Sequence, residues 1–394
     1  MKIKQFFIGE TKEVDWLFIE SIPEFKKLSE TKQSAKWHKE GDAYTHTRIV
    51  TRKMCERLSE EKDMHYYRVM VAAAICHDLG KGTTTYFDEA KGDFSSKCHG
   101  AAGAIITRTL LENEDVKTRE MVCYMVRNHM TLHHILEKDG KGIDRKLIEM
   151  SYGWMSVKDM LILKECDSMG SLNDIEGDKE REYASQQIRC KAELLDCYDR
   201  PFKFESAEQK HRYFIGCDLA APKTFDYETF NVWVMVGLPG SGKNTVIEHY
   251  FHGMPSISRD DIRTEIGLKG EKPQGNKDEE ERVTKIFDER VVECLKKHNT
   301  FVVNNVNVRK RYREMLLSKF VKYNVCVNYV YVNTDVDTCK SRRDGLMPLS
   351  VIDRMWGYFD FPTESEYDAL YIMDGKEPLK KECEEGHIEC VRDN

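Results

Sequence analysis

The sequence predicts two domains of different class, an all-α domain followed by an α/β domain with a parallel sheet. Three observations predict them. Apolar residues recur at three- and four-residue spacing from about 12 to 200, where strand-like alternation is scarce. From 231 onward, β-branched runs alternate with helical patterns. A glycine-rich turn carrying a lysine separates the first of these runs from the helix that follows it. A chain of 394 residues is long enough for two or three such domains, each with its own core. We place the boundaries at 1–200, 201–230 and 231–394, the middle stretch being a connection marked by Pro201, Pro222 and mixed polar composition.

In order along the chain, the helical spacing predicts helices near 43–58, 65–77, 99–112, 117–129 and 156–169. Polar, glycine-bearing stretches such as Gly80-Lys-Gly-Thr-Thr-Thr85 and Lys138-Asp-Gly-Lys-Gly142 separate them as loops. In the second half, Val232–Val236, Phe301–Val303 and Val325–Val332 read as strands, with helices near 242–250, 278–298 and 309–323. Strands that are apolar on both faces and separated by helices predict a doubly wound parallel sheet. The segment Pro255-Ser-Ile-Ser-Arg-Asp-Asp-Ile-Arg263 falls where a second strand would end beside the first. No internal repeat or low-complexity tract is present.

With 33% charged and 40% hydrophobic residues, the composition is that of a soluble globular protein. No apolar run reaches the length of a membrane span, and the opening Met1-Lys-Ile-Lys-Gln-Phe-Phe-Ile-Gly-Glu10 has too short an apolar block for a signal peptide, so a cytoplasmic location is expected. The thirteen cysteines sit singly, without a Cys-x-x-Cys pair, and are expected as reduced, mostly buried thiols. A net charge of −7 argues against electrostatic wrapping of a duplex but leaves room for a pocket that holds a strand end. Basic clusters occur at Arg309-Lys-Arg311 with Arg313 and at Lys340-Ser-Arg-Arg343, and such runs are usually solvated helix faces.

The stretch Val232-Trp-Val-Met-Val-Gly-Leu-Pro-Gly-Ser-Gly-Lys-Asn-Thr-Val246 is a strand, a phosphate-binding loop and a helix start. Gly237, Gly240 and Gly242, with Ser241 between the last two, let backbone N–H groups turn toward a polyphosphate. Lys243 reaches the β- and γ-phosphates, and the helix N-terminus adds positive dipole. A nucleoside triphosphate, ATP, is implied, with Mg²⁺. The Ser or Thr expected after the lysine is replaced by Asn244, with Thr245 next, so the metal contact would fall to an amide oxygen.

Eight of the thirteen histidines precede residue 135. In Ala72-Ala-Ala-Ile-Cys-His-Asp-Leu-Gly-Lys-Gly82, an apolar helix ends in the adjacent pair His77-Asp78, followed by Lys81. Adjacent ligands at one helix end can share a metal when other helices supply the rest. The candidates are His46, His99, His129 and Asp167. Imidazoles with carboxylates suit a transition metal with open positions, and Lys81 would face an anionic phosphate. His133 and His134 are expected in a loop, and His38 is a candidate to line the pocket.

The lone His46, the pair His77-Asp78 and the distal Asp167, in that order and over roughly 38–170, resemble the HD phosphohydrolase superfamily. The resemblance implies that His99 and His129 match additional histidines of that family, which hold a second metal or the scissile phosphate. One or two divalent metals such as Mn²⁺, Ni²⁺ or Co²⁺ would then be bound.

In the second half, a kinase acting on a hydroxyl needs a carboxylate to accept the proton and a cation to hold the substrate's own phosphate. Asp260 and Arg263 supply both within one helical turn, although Asp260 or Asp261 would also serve as a helix cap. Together with Gly-Leu-Pro-Gly-Ser-Gly-Lys, the segment Arg259-Asp-Asp-Ile-Arg263 resembles the phage-type 5′-hydroxyl polynucleotide kinases over about 232–362. That resemblance implies Asp260 as general base and Arg263 as the grip on the acceptor phosphate. Val302-Val-Asn-Asn-Val-Asn-Val308 looks like that family's strand-end segment with Asn305 and Asn307, but Val303 stands where an acid is expected. Cys339-Lys-Ser-Arg-Arg-Asp-Gly-Leu-Met-Pro348 resembles a lid, with Arg342 and Arg343 adjacent rather than four apart and Lys340 as a substitute.

An HD module followed by a kinase module resembles bifunctional end-healing enzymes, which implies RNA or DNA ends as substrates, a ligase acting downstream and no membrane. Homodimerisation is compatible with this. Two other readings remain open at this level: a small-molecule or nucleoside kinase fused to a nucleotide phosphohydrolase, and an ATP- and metal-binding regulatory module without turnover.

Overall fold

The computed structural model describes residues 1–34, 41–171, 175–217, 219, 221–268, 276–374 and 389–391. The chain divides into two compact units, Met1–Lys203 and Phe204–Asn394.

The first unit is helical. Its core elements are α1 (Ala43–Arg57), α2 (Met64–Cys76), α3 (His99–Leu110), α4 (Val116–Asn128) and α5 (Val157–Gly170). Each start is locally encoded where a side chain takes up an orphan N–H. Asp42 accepts from Thr45, Asp63 from His65 and Tyr66, Asp115 from Thr118, and Ser156 forms a capping box with Asp159. Helix α2 is apolar nearly all round, with every residue from Val69 to Cys76 buried, so it can only run through the middle of a bundle. Helices α1, α4 and α5 pack against it. Helix α3 is joined to α4 by a buried charge cluster in which the Arg108 guanidinium donates to Glu120 at 2.7–3.1 Å and Arg119 Nε adds a 2.9 Å bond to the same carboxylate. A small antiparallel hairpin, Tyr86–Asp88 with Asp93–Ser95, interrupts the helical pattern between α2 and α3.

Among the described residues, the second unit is built on a sheet of six strands: β1 (Phe230–Val236), β2 (Ser256–Ile257), β3 (Phe301–Val303), β4 (Val325–Asn333), β5 (Ala369–Asp374) and β6 (Glu389–Val391). Their spatial order is β2-β3-β1-β4-β5-β6, the first five parallel and β6 antiparallel to β5. Helices α6 (Lys243–Tyr250), α7 (Arg259–Glu265), α8 (Lys277–Lys296), α9 (Lys310–Phe320) and α10 (Leu349–Trp356) connect them. The central strand β1 pairs with β3 on one side and β4 on the other, and its Val232, Val234, Met235 and Val236 are buried. Burial on both faces explains the continuous apolar run. Full burial of one such side chain contributes roughly 1.5–3 kcal/mol.

The expected helices and strands are present within one to three residues. Two expectations are corrected: β2 pairs with β3 at the sheet edge, not with the first strand β1, and the stretches 80–85 and 138–142, expected as loops, hold the short helix Lys81–Thr84 and the start of the helix Gly140–Ser151. Two further strands, β5 and β6, lie beyond the last one the sequence predicts. Within 201–230 the chain forms a capped helix, Ala207–Phe214, whose His211 and Lys210 bind Asp368 at 2.9 and 3.4 Å.

Candidate functional site

Five helices deliver groups to one small volume of the first unit. His46 lies in the first turn of α1, His77 and Asp78 follow the last turn of α2, His99 opens α3, His129 follows α4, and Asp167 lies in the last turn of α5. All are buried except His99, which is half-buried. The turn after α2 comes so close to α3 that a Cβ on Gly80 would stand 1.9 Å from the His99 carbonyl oxygen, which brings His99 beside Asp78.

Among the described residues these side chains form two groups able to hold a cation, His46 with His77 and Asp167, and Asp78 with His99 and His129. Asp78 links the groups. Its Oδ2 is 3.3 Å from His77 Nε2 and 3.9 Å from His46 Nε2, and its Oδ1 is 3.5 and 3.8 Å from the Nε2 atoms of His99 and His129. Donors about 2.0–2.2 Å from a common ion have such separations.

Proton placement tests the fit. The Nδ1 atoms of His77, His99 and His129 lie 2.8, 2.8 and 2.7 Å from the carbonyl oxygens of Ala74, Ser96 and Val126. A carbonyl only accepts, so each Nδ1 donates its hydrogen, and the neutral ring turns an unprotonated Nε2 toward the cluster. Yet His99 Nε2 and His129 Nε2 are 2.9 Å apart, two lone pairs face to face. Burial pushes the His129 imidazole down to about 3 and lowers His99 as well, so near neutral pH a proton does not relieve that repulsion. A shared cation does. His77 Nε2, buried without a hydrogen-bond partner, makes the same demand.

The carboxylates are ready as ligands. Burial would raise Asp78, but its interactions with the His77 ring and the Lys81 ammonium outweigh it and hold the group well below the ordinary range. Burial also opposes ionisation of Asp167, and the close approach of His133 and His46, at 3.0 and 2.8 Å, overcomes it. Lys81 Nζ is 2.8 Å from Asp78 Oδ2 and donates to Gln33 Oε1 at 2.6 Å, leaving one N–H for an anion.

Two participants escape sequence reasoning. His133 is expected as a loop residue, but its Nε2 lies 3.0 Å from Asp167 Oδ2; its i+4 spacing from His129 was the available signal. Gln33 is brought to Lys81 across 48 positions, and no local pattern marks it. His134 pairs with Glu137 at the surface, and His38 lies outside the described residues.

In the second unit, β1 ends in the loop 237–242 and α6 begins at Lys243. Gly240 has φ +84°, and a Cβ there would meet the Cys339 carbonyl oxygen at 2.6 Å. The loop therefore excludes other residues on both conformational and packing grounds. Half-buried Lys243 donates to the carbonyls of Gly237 and Leu238 at 3.0 and 2.8 Å, and desolvation pulls its ammonium down to about 8. Ser241 is buried, whereas Asn244 and Thr245 are exposed. Asn244 Oδ1 accepts from Asn304 Nδ2 at 3.0 Å. Arg342 Nη1 donates to the Gly240 carbonyl at 3.2 Å, and the Arg343 side chain also lies against Gly240. Both adjacent arginines thus reach the loop.

Asp260 stands in the first turn of α7, exposed, close enough for its charge to act on Lys243. Arg263, expected from the resemblance as the grip on the acceptor phosphate, is engaged by two carboxylates. Its Nε and Nη2 donate to Glu280 at 2.8 and 2.9 Å, and Nη1 donates to Asp260 Oδ1 at 2.6 Å. Asn307 is buried and donates to Met235 O at 2.8 Å, fastening the loop. Two expectations are corrected. Arg313 is not on a solvated face but wholly buried, in a bidentate pair with Glu366. Lys340 is occupied by Asp353.

With this geometry in view, the class of each unit is defined. Residues 44–169 match the model of the HD domain, and residues 232–345 match that of an AAA domain. The chain thus joins a helical HD domain to a P-loop, kinase-like α/β domain. Two solved structures of the Pnkp1/Rnl/Hen1 RNA repair complex contain similar chains. One is 21% identical over 30% of this chain and 41% of its own, with a TM-score of 0.27; the other is 22% identical over 35% and 49%, with a TM-score of 0.31. This chain therefore spans less than half the length of either. No helix among the described residues is long and apolar enough to cross a membrane.

Proposed function

We propose that this protein heals broken nucleic-acid ends, phosphorylating a 5′-hydroxyl of RNA or DNA with ATP and removing a terminal 3′- or 2′-phosphate, or opening a 2′,3′-cyclic phosphate, in its HD domain. The observation that carries the reading is the presence of two phosphate-handling centres in one chain, the ligand set linked by Asp78 and the loop holding Lys243 beside Asp260.

In the HD centre, His46, His77 and Asp167 would hold one divalent ion, and Asp78, His99 and His129 a second. Bound there, the metal supplies positive charge for phosphate oxygens and lowers the pKa of water. Lys81 adds a cation beside Asp78 for a phosphate oxygen. In the kinase centre, Asp260 accepts the proton of the attacking hydroxyl. Lys243, Arg342 and Arg343 converge on the loop and offset charge on the transferring phosphoryl group, with Gly237, Gly240, Ser241, Gly242, Asn244 and Thr245 around it. Asn244 would hold Mg²⁺ through its amide oxygen, and the ion would supply positive charge for the phosphates. The pairing of Arg263 with Glu280 favours a role in steadying Asp260. The products would be ends that a ligase joins, and a cytoplasmic setting fits the reduced cysteines.

The test is incubation with ATP and a short RNA bearing a 5′-hydroxyl and a 2′,3′-cyclic phosphate, with mass analysis of both termini. A gain of phosphate at the 5′ end and loss or opening at the 3′ end are expected. Asp260→Ala should remove only the first change and Asp78→Ala only the second; an RNA unaltered at both ends by the parent chain would refute the proposal.

A further inference from the structure

The kinase acceptor needs a hold other than Arg263. With Glu280 taking two of its donors and Asp260 a third, that guanidinium is opposed by two carboxylates and offers an incoming strand no net positive charge. Another cation stands nearby at the end of β3. The loop 304–309 is fastened residue by residue to the loop and base elements. Asn304 donates to Asn244 at 3.0 Å, Asn305 Oδ1 accepts the Arg259 backbone N–H at 3.2 Å, Asn307 binds Met235, and the Val308 carbonyl accepts from the Asp360 N–H at 2.8 Å. The next residue is Arg309.

Its guanidinium carbon lies 3.7 Å from the centroid of the Tyr358 ring, a direct face contact. Tyr358 remains 48% exposed, and Arg311 is exposed two residues on. Among the described residues no carboxylate lies within ion-pair reach of Arg309. Surface cation–aromatic pairs are common, but Arg263 and Arg313 are each neutralised by a carboxylate. Here a rigidly anchored arginine keeps its charge uncompensated on an exposed ring, at the C-terminal end of the parallel strands, where Asp260 and Lys243 also lie. Planar π surfaces beside positive charge bind unpaired nucleobases irrespective of sequence.

We infer that Arg309 and Tyr358 form a stacking platform for the first nucleobases of a single-stranded nucleic-acid acceptor, with Arg311 meeting its backbone phosphates. The inference rests on the kinase reading above and adds to it the part of the acceptor that is recognised, the base rather than the terminal phosphate.

The test uses the full chain and a fluorescently labelled oligonucleotide with a 5′-hydroxyl. Anisotropy without ATP gives the dissociation constant, and steady-state kinetics give KM for oligonucleotide and for ATP. Tyr358→Ala should raise the oligonucleotide Kd and KM by about tenfold, within the range for loss of one stacked base, with kcat and the ATP KM held. Tyr358→Phe should restore both. Abasic sites at the first two positions should weaken binding to the parent protein by a similar factor and leave Tyr358→Ala binding unaltered. An unchanged Kd in Tyr358→Ala, or an equal abasic penalty in both proteins, overturns the platform; so does a rise confined to the ATP KM, which would assign the stack to the donor's adenine. Failure of the parent chain to phosphorylate any oligonucleotide would instead strike the kinase reading, and the anisotropy measurement would still decide whether the platform exists.

Discussion

Lys243 is charged by only a narrow margin near neutral pH, because burial against the carbonyls of its own loop brings it to about 8. A bound triphosphate favours the charged form and raises that value, so nucleotide binding at pH 8 to 9 should draw a proton from solution, and affinity should fall as pH rises through about 8. Calorimetry in buffers of different ionisation enthalpy reads the uptake; proton release on ATP binding would contradict the placement of Lys243 at the phosphates. Gly240→Ala belongs to the same scale. The added methyl meets the Cys339 carbonyl at 2.6 Å in a left-handed backbone, and weakened ATP binding with an intact HD activity is the expected result, read from the KM for ATP. In the HD centre, Asp78 bridges both ligand groups, so Asp78→Ala should reduce Mn²⁺ stoichiometry measured by elemental analysis more than Asp167→Ala, which touches only one. The residue types were legible here, the tautomers were not. That Nε2 faces the cluster follows from carbonyls three residues back along each turn, and the contact of His133 with Asp167 follows only from how α4 and α5 meet.

Pairs of elements are held in register by buried charges. Helices α3 and α4 carry His99 and His129, and Glu120 between Arg108 and Arg119 fixes their relation. Glu120→Ala would leave two guanidinium groups buried without a counter-charge, and a loss of about 3–5 kcal/mol in denaturant unfolding is expected. The pH dependence has a definite sign. Burial would raise the Glu120 carboxyl, yet Arg108 and Arg119 hold it below its ordinary value of 4.5, so its contribution is complete above that pH and is lost as acid takes the pH down through the lowered value. Thermal melts in the parent should show this acid loss and Glu120→Gln should flatten it. Helix positions were legible in the apolar spacing because that signal is local, and the structure adds the caps Asp42, Asp63, Asp115 and Ser156 that fix their starts. Strand β2 is two residues long and β5 sits after a long irregular segment, so neither carries enough pattern to reveal its neighbour in the sheet.

At the scale of the whole molecule, two compact units, each with its own ligand chemistry, predict two separable responses. In calorimetry of the full chain, Mn²⁺ should raise one transition and Mg²⁺ with ATP the other. A ligand at a hundred times its Kd stabilises its unit by about 2.7 kcal/mol, or roughly 5–10 °C for a unit of this size. A single transition moved equally by both ligands would show the units to be energetically one. The sequence alone determined the class of each half, the glycine-rich loop after the first strand and the identity of six side chains that cluster, because periodicity, glycine spacing and chemically distinctive side chains are written locally. Tertiary structure decided which groups are spoken for. Arg263 is taken by Glu280, Arg313 by Glu366 and Lys340 by Asp353, while Arg309 keeps its charge over Tyr358. A charge acquires its role from the partner that folding places beside it, and partners 13, 17, 49 or 53 positions away leave no mark in the run of residues around it.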